Sequence, residues 1–329
     1  MLNKMAARPR ILLIGADGQI GWELRRTLAP LGHLIAASPD GTWGPRVDLT
    51  DPRTTGKLVR ESAPDAVVNA AAYTAVDKAE EEGELARRIN AEAPGLLGEL
   101  VHRRGVPIVH YSTDFVFSGN GECPYREDDE AGPLNLYGET KLGGEQSLTA
   151  TGADAVILRT SWVYGVRGTN FLRTMLRLFD EREELRVVDD QIGAPTWSRM
   201  LAEVTAQILS RLLGGDLDPA RVKDIYHATN GGRTSWFDFA RAILDISGRR
   251  CKLLPIPTRE YPAPVRRPAY SVLDNTKLRE TFGLALPDWE VSLRQCLEDL
   301  GFCERRQEDV SSYFAYISRK VGCAHQYRV

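Results

Sequence analysis

A doubly wound α/β sheet with a smaller interwoven α/β lobe is the fold predicted by three features of this sequence. Short apolar runs alternate with helical stretches through the first half, which implies parallel strands joined by right-handed crossovers. A glycine-spaced turn, Gly15-Ala16-Asp17-Gly18-Gln19-Ile20-Gly21, follows the first run directly. A strand ending in Tyr111-Ser112-Thr113-Asp114 is followed by Tyr137-Gly138-Glu139-Thr140-Lys141.

Residues 10–14 are an apolar run ending in glycine and read as a buried parallel strand. Residues 19–31 read as the first helix, 33–37 as the second strand, 54–62 as a helical connection and 66–69 as the third strand. The Glu- and Arg-rich residues 76–104 read as one long helical stretch. A fourth strand at 107–112, a helix at 136–148 and a fifth strand at 155–159 complete the alternation. Beyond Trp162 it loosens. Helices are expected at 170–181, 199–213, 236–246 and 291–300, a short strand at 185–188, and a strand at 225–228 that returns to the main sheet. The proline-rich residues 255–268 read as loop. Residues 1–165 are thus expected to form a Rossmann-type NAD(P)-binding domain, rejoined by 196–230, with 166–195 and 231–300 as the substrate lobe. Residues 301–329 are an extension to which no role is assigned.

The chain has 329 residues, 43% hydrophobic and 26% charged, with a formal net charge of -3. That balance points away from nucleic-acid and membrane partners. No apolar run reaches the length of a bilayer span, and the N-terminus leads almost directly into the first strand, with no room for a signal peptide. The five cysteines are scattered and show no metal-ligand spacing. Reduced thiols, no metal and a cytoplasmic location are expected.

The glycine turn lies between a strand and a helix. Its glycines let the backbone approach a diphosphate, and the helix N-terminus offers free N–H groups. Three glycines alone could also be a structural turn. Asn69-Ala70-Ala71-Ala72-Tyr73 favours the cofactor reading, because small residues at a strand's carboxyl end leave room for a flat ring or a ribose. Asp48-Leu49 could sit by an adenine, or Asp48 could cap the helix that follows Pro52.

Tyr137 and Lys141 are four apart on an expected helix and share a face. A nearby ammonium favours a phenolate and lowers the phenol pKa. The lysine can also hold a cofactor ribose. The phenol then gives its proton to a ketone oxygen as hydride reaches the carbon, and Thr113 supplies a second hydrogen bond. Glu80-Glu81-Glu82 reads as a solvated helix face and His110 as a satisfied core histidine. Asn90 either bonds backbone near the site or faces solvent.

With these residues in place, the chain resembles the dTDP-4-dehydrorhamnose reductase family of extended short-chain dehydrogenase/reductases. The likeness runs over residues 10–300 and is carried by residues 69–77, 110–114, 133–141, Arg159-Thr160-Ser161-Trp162-Val163-Tyr164, Asp190-Gln191-Ile192-Gly193-Ala194-Pro195-Thr196 and Arg266-Arg267-Pro268. The resemblance implies NADPH- or NADH-dependent reduction of the C4 ketone of dTDP-6-deoxy-L-lyxo-4-hexulose to dTDP-L-rhamnose, with the lobe holding the sugar nucleotide. It makes Tyr137 the proton donor, Lys141 its partner and Thr113 the helper. The cofactor set becomes Gly15, Asp17, Gly18, Gln19, Ile20, Gly21, Ser38, Asp48, Leu49, Ala70, Ala71, Ala72, Tyr73, Tyr111, Tyr137 and Lys141. Thr113, Asp114 and Trp162 would touch the sugar, and Arg267 the diphosphate. Trp162 could instead be a core aromatic at a strand end, and Arg267 could be a surface salt bridge.

Two positions depart from the family pattern. Ser38 stands where many NAD-binding members carry an acid, so NADPH is expected to serve at least as well as NADH. No arginine directly follows the second strand, so strong NADPH selectivity is not expected. Arg199 stands near where a glutamate would help bridge a magnesium-linked dimer, so a homodimer stays open as an assembly but a metal-bridged one is not expected. Two other readings stay open: a reductase for another dTDP-4-keto-6-deoxysugar, and a binding protein like the regulatory subunit of methionine adenosyltransferase. Residues 190–196 and the Trp162 segment favour the enzyme.

Overall fold

The computed structural model describes residues 8–261 and 263–302. Its centre is a six-stranded, all-parallel sheet. In chain order the first half contains β1 (Arg10–Ile14), α1 (Gln19–Thr27), β2 (His33–Ala37), α2 (Pro52–Ser62), β3 (Ala66–Asn69), α3 (Val76–Ala79), α4 (Gly83–Arg87), α5 (Ala93–His102), β4 (Ile108–Thr113), α6 (Leu136–Ala150) and β5 (Ala155–Thr160). The second half contains β6 (Val163–Tyr164), α7 (Phe171–Glu181), β7 (Glu184–Val188), β8 (Ile192–Gly193), β9 (Thr196–Trp197), α8 (Ser198–Gly214), α9 (Pro219–Val222), β10 (Asp224–His227), β11 (Thr234–Ser235), α10 (Trp236–Ser247), β12 (Lys252–Ile256), α11 (Thr276–Phe282) and α12 (Trp289–Asp299).

The strand order is β10-β5-β4-β3-β1-β2. Because side chains alternate along a strand, each strand supplies both faces. Ile11, Leu13, Val68, Val109 and Leu158 pack with α1 and α8, while Leu12, Ile14, Val67, Ile108 and Ile157 pack with α2 and α5. Burial on both faces explains why these strands read as continuous apolar runs. A separate core joins α7, α10 and α12 around Phe179, Phe239, Trp289 and Leu293.

Several boundaries differ from the sequence expectation, each for a local reason. The first helix stops at Thr27 because Pro30 cannot continue it. The second starts at Pro52, since Asp51 caps it by accepting the Arg53 N–H at 3.0 Å. The stretch expected as one helix over 76–104 is four pieces. A π-helical turn, Arg88–Glu92, separates α4 from α5, and Pro94 sits in the first turn of α5. Pro255, expected in a loop, belongs to β12, which pairs with β7 alone. A two-stranded sheet tolerates the missing N–H. The segment after residue 302, to which no role was assigned, lies outside the described residues.

The π turn packs closely against α6 at Gly144. A Cβ on Gly144 would lie 2.0 Å from the Asn90 carbonyl oxygen. Backbone cannot yield as a side-chain tip can, so Gly144→Ala is expected to cost about 1–3 kcal/mol in urea unfolding. Gly56, inside α2, faces only the Arg60 guanidinium at 3.3 Å, and Gly56→Ala is expected to stabilise by about 0.5–1 kcal/mol. A neutral Gly144→Ala would show that this contact does not hold α6.

Candidate active site

The turn after β1 comes close enough to β3 to exclude side chains. Gly15 has φ of 83°, and a Cβ there would lie 2.5 Å from the Ala71 nitrogen. A Cβ on Gly21 would lie 1.9 Å from the Gly15 carbonyl oxygen. Gly18 caps α1 without a side-chain hydrogen bond, so the first N–H groups of the helix remain available to an anion. The turn lies where β2 and β3 flank β1 on opposite sides, the switch point at which such sheets bind ligands. A cavity of about 470 Å³ opens there, lined by Gly15, Asp17, Gly18, Gln19, Ile20, Ala70, Ala71 and Ala72, and also by Tyr111, Tyr137 and Lys141. Gly21 is a packing position outside this wall.

The small-residue loop after β3 is fixed from below. The Ala71 N–H donates to Asn69 Oδ1 at 3.3 Å. Asn90, on the π turn, accepts the Tyr73 N–H at 2.8 Å and donates to the Tyr73 carbonyl at 3.0 Å and to Thr140 Oγ1 at 3.1 Å. Of the two readings of Asn90, the backbone contact is the one observed. The Tyr73 side chain does not reach the cavity wall; its phenol donates to Glu82 Oε2 at 2.8 Å. Two of the three glutamates read as solvated are therefore engaged, since Glu80 accepts the Leu136 N–H at 2.9 Å. His110 bonds Asn69 Nδ2 through Nδ1 at 3.1 Å, and burial holds its pKa well below the usual histidine range.

A second cavity, about 370 Å³, adjoins the first and is lined by Gly15, Pro39, Arg46, Asp48, Leu49 and Ala71 among others. Asp48 does not cap α2, which is capped by Asp51. The Asp48 carboxylate accepts from the Thr50 N–H at 2.9 Å and the Thr50 hydroxyl at 2.6 Å, which lowers its pKa. Ser38 is fully buried, and its hydroxyl donates to Asp40 Oδ1 at 2.8 Å. Its side chain therefore does not face the cavity as the sequence had suggested.

The helix carrying Tyr137 starts at Asn135, whose Oδ1 accepts the Gly138 N–H at 2.9 Å. Lys141, one turn beyond Tyr137, is only 2% exposed. Its Nζ donates to the Tyr111 carbonyl at 2.6 Å. Burial pulls its pKa down to about 8, against the field of Glu145. Glu145 itself forms a buried bidentate pair with Arg159, at 2.8 and 2.7 Å. Tyr137 hydrogen-bonds Thr113, and burial raises its pKa to about 12 despite that bond. The expected lowering by Lys141 is not found: the ammonium bonds a carbonyl instead, and desolvation of the phenol sets the direction. The phenol stays protonated near neutral pH. Tyr111 contributes its carbonyl, while its own hydroxyl bonds Thr205 on α8.

Asp114 lies beneath Thr113 rather than in the cavity wall. It accepts from the Thr113 hydroxyl at 3.0 Å and the Ser161 hydroxyl at 2.9 Å. Burial raises its pKa to about 6, against hydrogen bonds from Ser271, Ser161 and Thr113. Trp162, just past β5, has φ of 47°, rare for a bulky side chain. Its ring stacks on Trp236 at 3.5 Å between centroids, and a Cβ on Gly193 would meet it at 2.4 Å. A third cavity, about 440 Å³, is lined by Asp190, Gln191, Arg259, Arg266 and Arg267 among others. Arg267 Nη2 reaches both oxygens of Asp77 at 2.9 Å, so it is a salt-bridge member and a wall residue at once. Arg199 pairs with Glu203 at 3.1 Å and Asp299 at 2.9 Å. No group of three or more His, Cys, Asp or Glu among the described residues could hold a metal. No helix among them is long and apolar enough to cross a membrane.

Sequence reasoning gave no role to Arg46, Glu145, Arg159, Asn170 and Trp236, although Arg159 stood in a segment that carries the resemblance. Only Glu145 left a signal in its spacing, one further helical turn after Tyr137 and Lys141. Asn170 bonds Gln19 Oε1 at 2.8 Å, tying the loop before α7 to the glycine turn.

Residues 9–302 match the family described as RmlD substrate binding domain. The chain is 47% identical over 299 residues to a dTDP-4-dehydrorhamnose reductase of Burkholderia thailandensis, covering 88% of this chain and 99% of that one. It is 45% identical over 298 residues to the enzyme of the same name from Escherichia coli, covering 88% and 97%. The solved structure of the Bacillus anthracis dTDP-4-dehydrorhamnose reductase in complex with NADP superposes with a TM-score of 0.81 at 34% identity, covering 89% of this chain and 99% of that one. With the glycine turn, the Tyr137–Lys141 helix and the flanking cavities already in place, these likenesses establish that the chain belongs to the dTDP-4-dehydrorhamnose reductase family.

Proposed function

We propose that this protein reduces the C4 ketone of dTDP-6-deoxy-L-lyxo-4-hexulose to dTDP-L-rhamnose, using NADPH or NADH. The observation that carries this reading is the Tyr137 phenol, bonded to Thr113 and set one turn from the buried Lys141, in a chain 47% identical to a named dTDP-4-dehydrorhamnose reductase. The geometry fits a dinucleotide: the Gly15 and Gly21 close approaches leave room for a diphosphate at the start of α1. The main sheet holds the cofactor, and the lobe of α7, α10 and α12 holds the nucleotide sugar. A cytoplasmic location, argued from the scattered cysteines, is part of the proposal.

A bound nicotinamide supplies the hydride. Tyr137 gives its proton to the C4 oxygen, because a phenol with a pKa near 12 is still protonated at neutral pH and can act as an acid there. Thr113 offers the second hydrogen bond to that oxygen by rotating its one hydroxyl proton away from Asp114, to which it donates in the absence of substrate. Lys141 has three donors and gives one to the Tyr111 carbonyl, leaving others for ribose hydroxyls. Its charge also stabilises the phenolate that Tyr137 leaves behind when it gives up its proton. Trp162 faces the sugar beyond β5, and the arginines of the third cavity meet the diphosphate of the nucleotide.

Replacing Tyr137 by Phe is expected to leave NADPH binding intact and to lower kcat by about 10²–10⁴-fold with saturating ketosugar. A loss below about threefold would remove the phenol from the mechanism. Trp162→Ala is expected to lower kcat/KM for the ketosugar by about tenfold or more, roughly 1.4 kcal/mol, while the NADPH dissociation constant stays unchanged. Weakened NADPH binding alone would place Trp162 with the cofactor or the core.

A further inference from the structure

The outer cavity contains one cation whose guanidinium no other side chain engages. Arg46 follows β2 by a loop that folds back on the strand end. Ser38 and Arg46 form a parallel bridge, with the Ser38 N–H donating to the Pro45 carbonyl at 3.3 Å and the Val47 N–H to the Ser38 carbonyl at 3.1 Å. Arg46 thereby enters the wall beside Pro39 and Gly15, although it stands well beyond the strand in sequence. Its side chain is exposed. It has no hydrogen-bond or salt-bridge partner among the described residues, and its field falls on Asp48.

The carboxylates near it are otherwise engaged. Asp40 Oδ1 accepts from the Ser38 hydroxyl at 2.8 Å and the Thr42 N–H at 3.0 Å, and its Oδ2 accepts from the Thr42 hydroxyl. The cavity walls include Pro39 but not Asp40. Asp48, the carboxylate that does line the wall, is turned onto Thr50. An acid at the end of the second strand would take the 2′- and 3′-hydroxyls of an adenosine ribose and repel a phosphate there. In this chain the acidic groups are closed on their own loop, and Arg46, with five N–H donors, lines the same cavity. A fork of that shape fits a phosphate dianion.

We propose that Arg46 binds the 2′-phosphate of the adenosine half of the cofactor and makes this protein prefer NADPH to NADH. The inference rests on the dinucleotide reading above and adds the residue that selects between the two cofactors.

The test measures dissociation constants for NADPH and NADH by cofactor-fluorescence titration, without sugar nucleotide, in the wild type, Arg46→Ala and Arg46→Lys. The wild type is expected to bind NADPH at least about tenfold tighter than NADH, roughly 1.4 kcal/mol. Arg46→Ala should lose that preference by weakening NADPH alone, with NADH shifting less than about twofold. Arg46→Lys should keep part of it, since an ammonium retains the charge without the fork. Equal weakening of both cofactors would make Arg46 a shaping residue and overturn the proposal. So would NADPH binding that Arg46→Ala leaves unchanged. If the wild type bound neither cofactor, the dinucleotide reading itself would fall, and the role of Arg46 with it.

Discussion

A buried ammonium is the constraint on which the rest of this site depends. Lys141 is almost without solvent contact, and a charge taken out of water is costly unless it is paired. Its compensation comes from two directions, the Tyr111 carbonyl at 2.6 Å and the field of Glu145 one turn further along α6. Glu145 is in turn held bidentately by Arg159 on β5. One polar chain thus crosses from the helix to two adjacent strands. It fixes the rotation of α6, and so fixes which way Tyr137 points. Removing either end of the Glu145–Arg159 pair would leave the other charge buried and alone, which is more damaging than exchanging both for apolar residues.

The packing around α6 follows from the same requirement. The helix must approach the sheet closely for Lys141 to reach the Tyr111 carbonyl, and Gly144 permits that approach at the π turn. The π turn in its turn swings Asn90 inward to clamp both backbone groups of Tyr73, which steadies the Ala70–Ala72 stretch lining the main cavity. Extra residues in a helix often mark functional positions, and here the consequence is visible as a hydrogen bond from Asn90 to Thr140 on α6 itself. Backbone strain at Trp162 lies on the opposite side of the site, where its φ of 47° turns the indole onto Trp236 and away from the main core.

The strands and the paired Tyr137 and Lys141 were legible in the sequence because each rests on local rules. Apolar runs buried on both faces declare parallel strands, and four-residue spacing on a helix declares a shared face. The parts that were not legible depend on chain segments far apart. Arg159 reads as one more residue of an apolar strand until α6 brings Glu145 against it. Arg46 reads as a loop arginine until the bridge to Ser38 places it in the cavity. Asp114, beside Thr113 in sequence, looks like a substrate contact, but Ser161 and Ser271 draw it inward. The sign of the Tyr137 shift was missed for the same reason, since desolvation is a property of the folded surroundings and not of spacing.

The central claim is that Lys141 is a caged ammonium and not a solvated side chain. Its titration can be followed directly by NMR in protein carrying ¹³C-labelled lysine, with Lys141→Met assigning the resonance. A midpoint near pH 8, where burial places it, is the predicted result: charged below that pH and neutral above it. A midpoint near about 10.4, the value of a free lysine, would contradict the account.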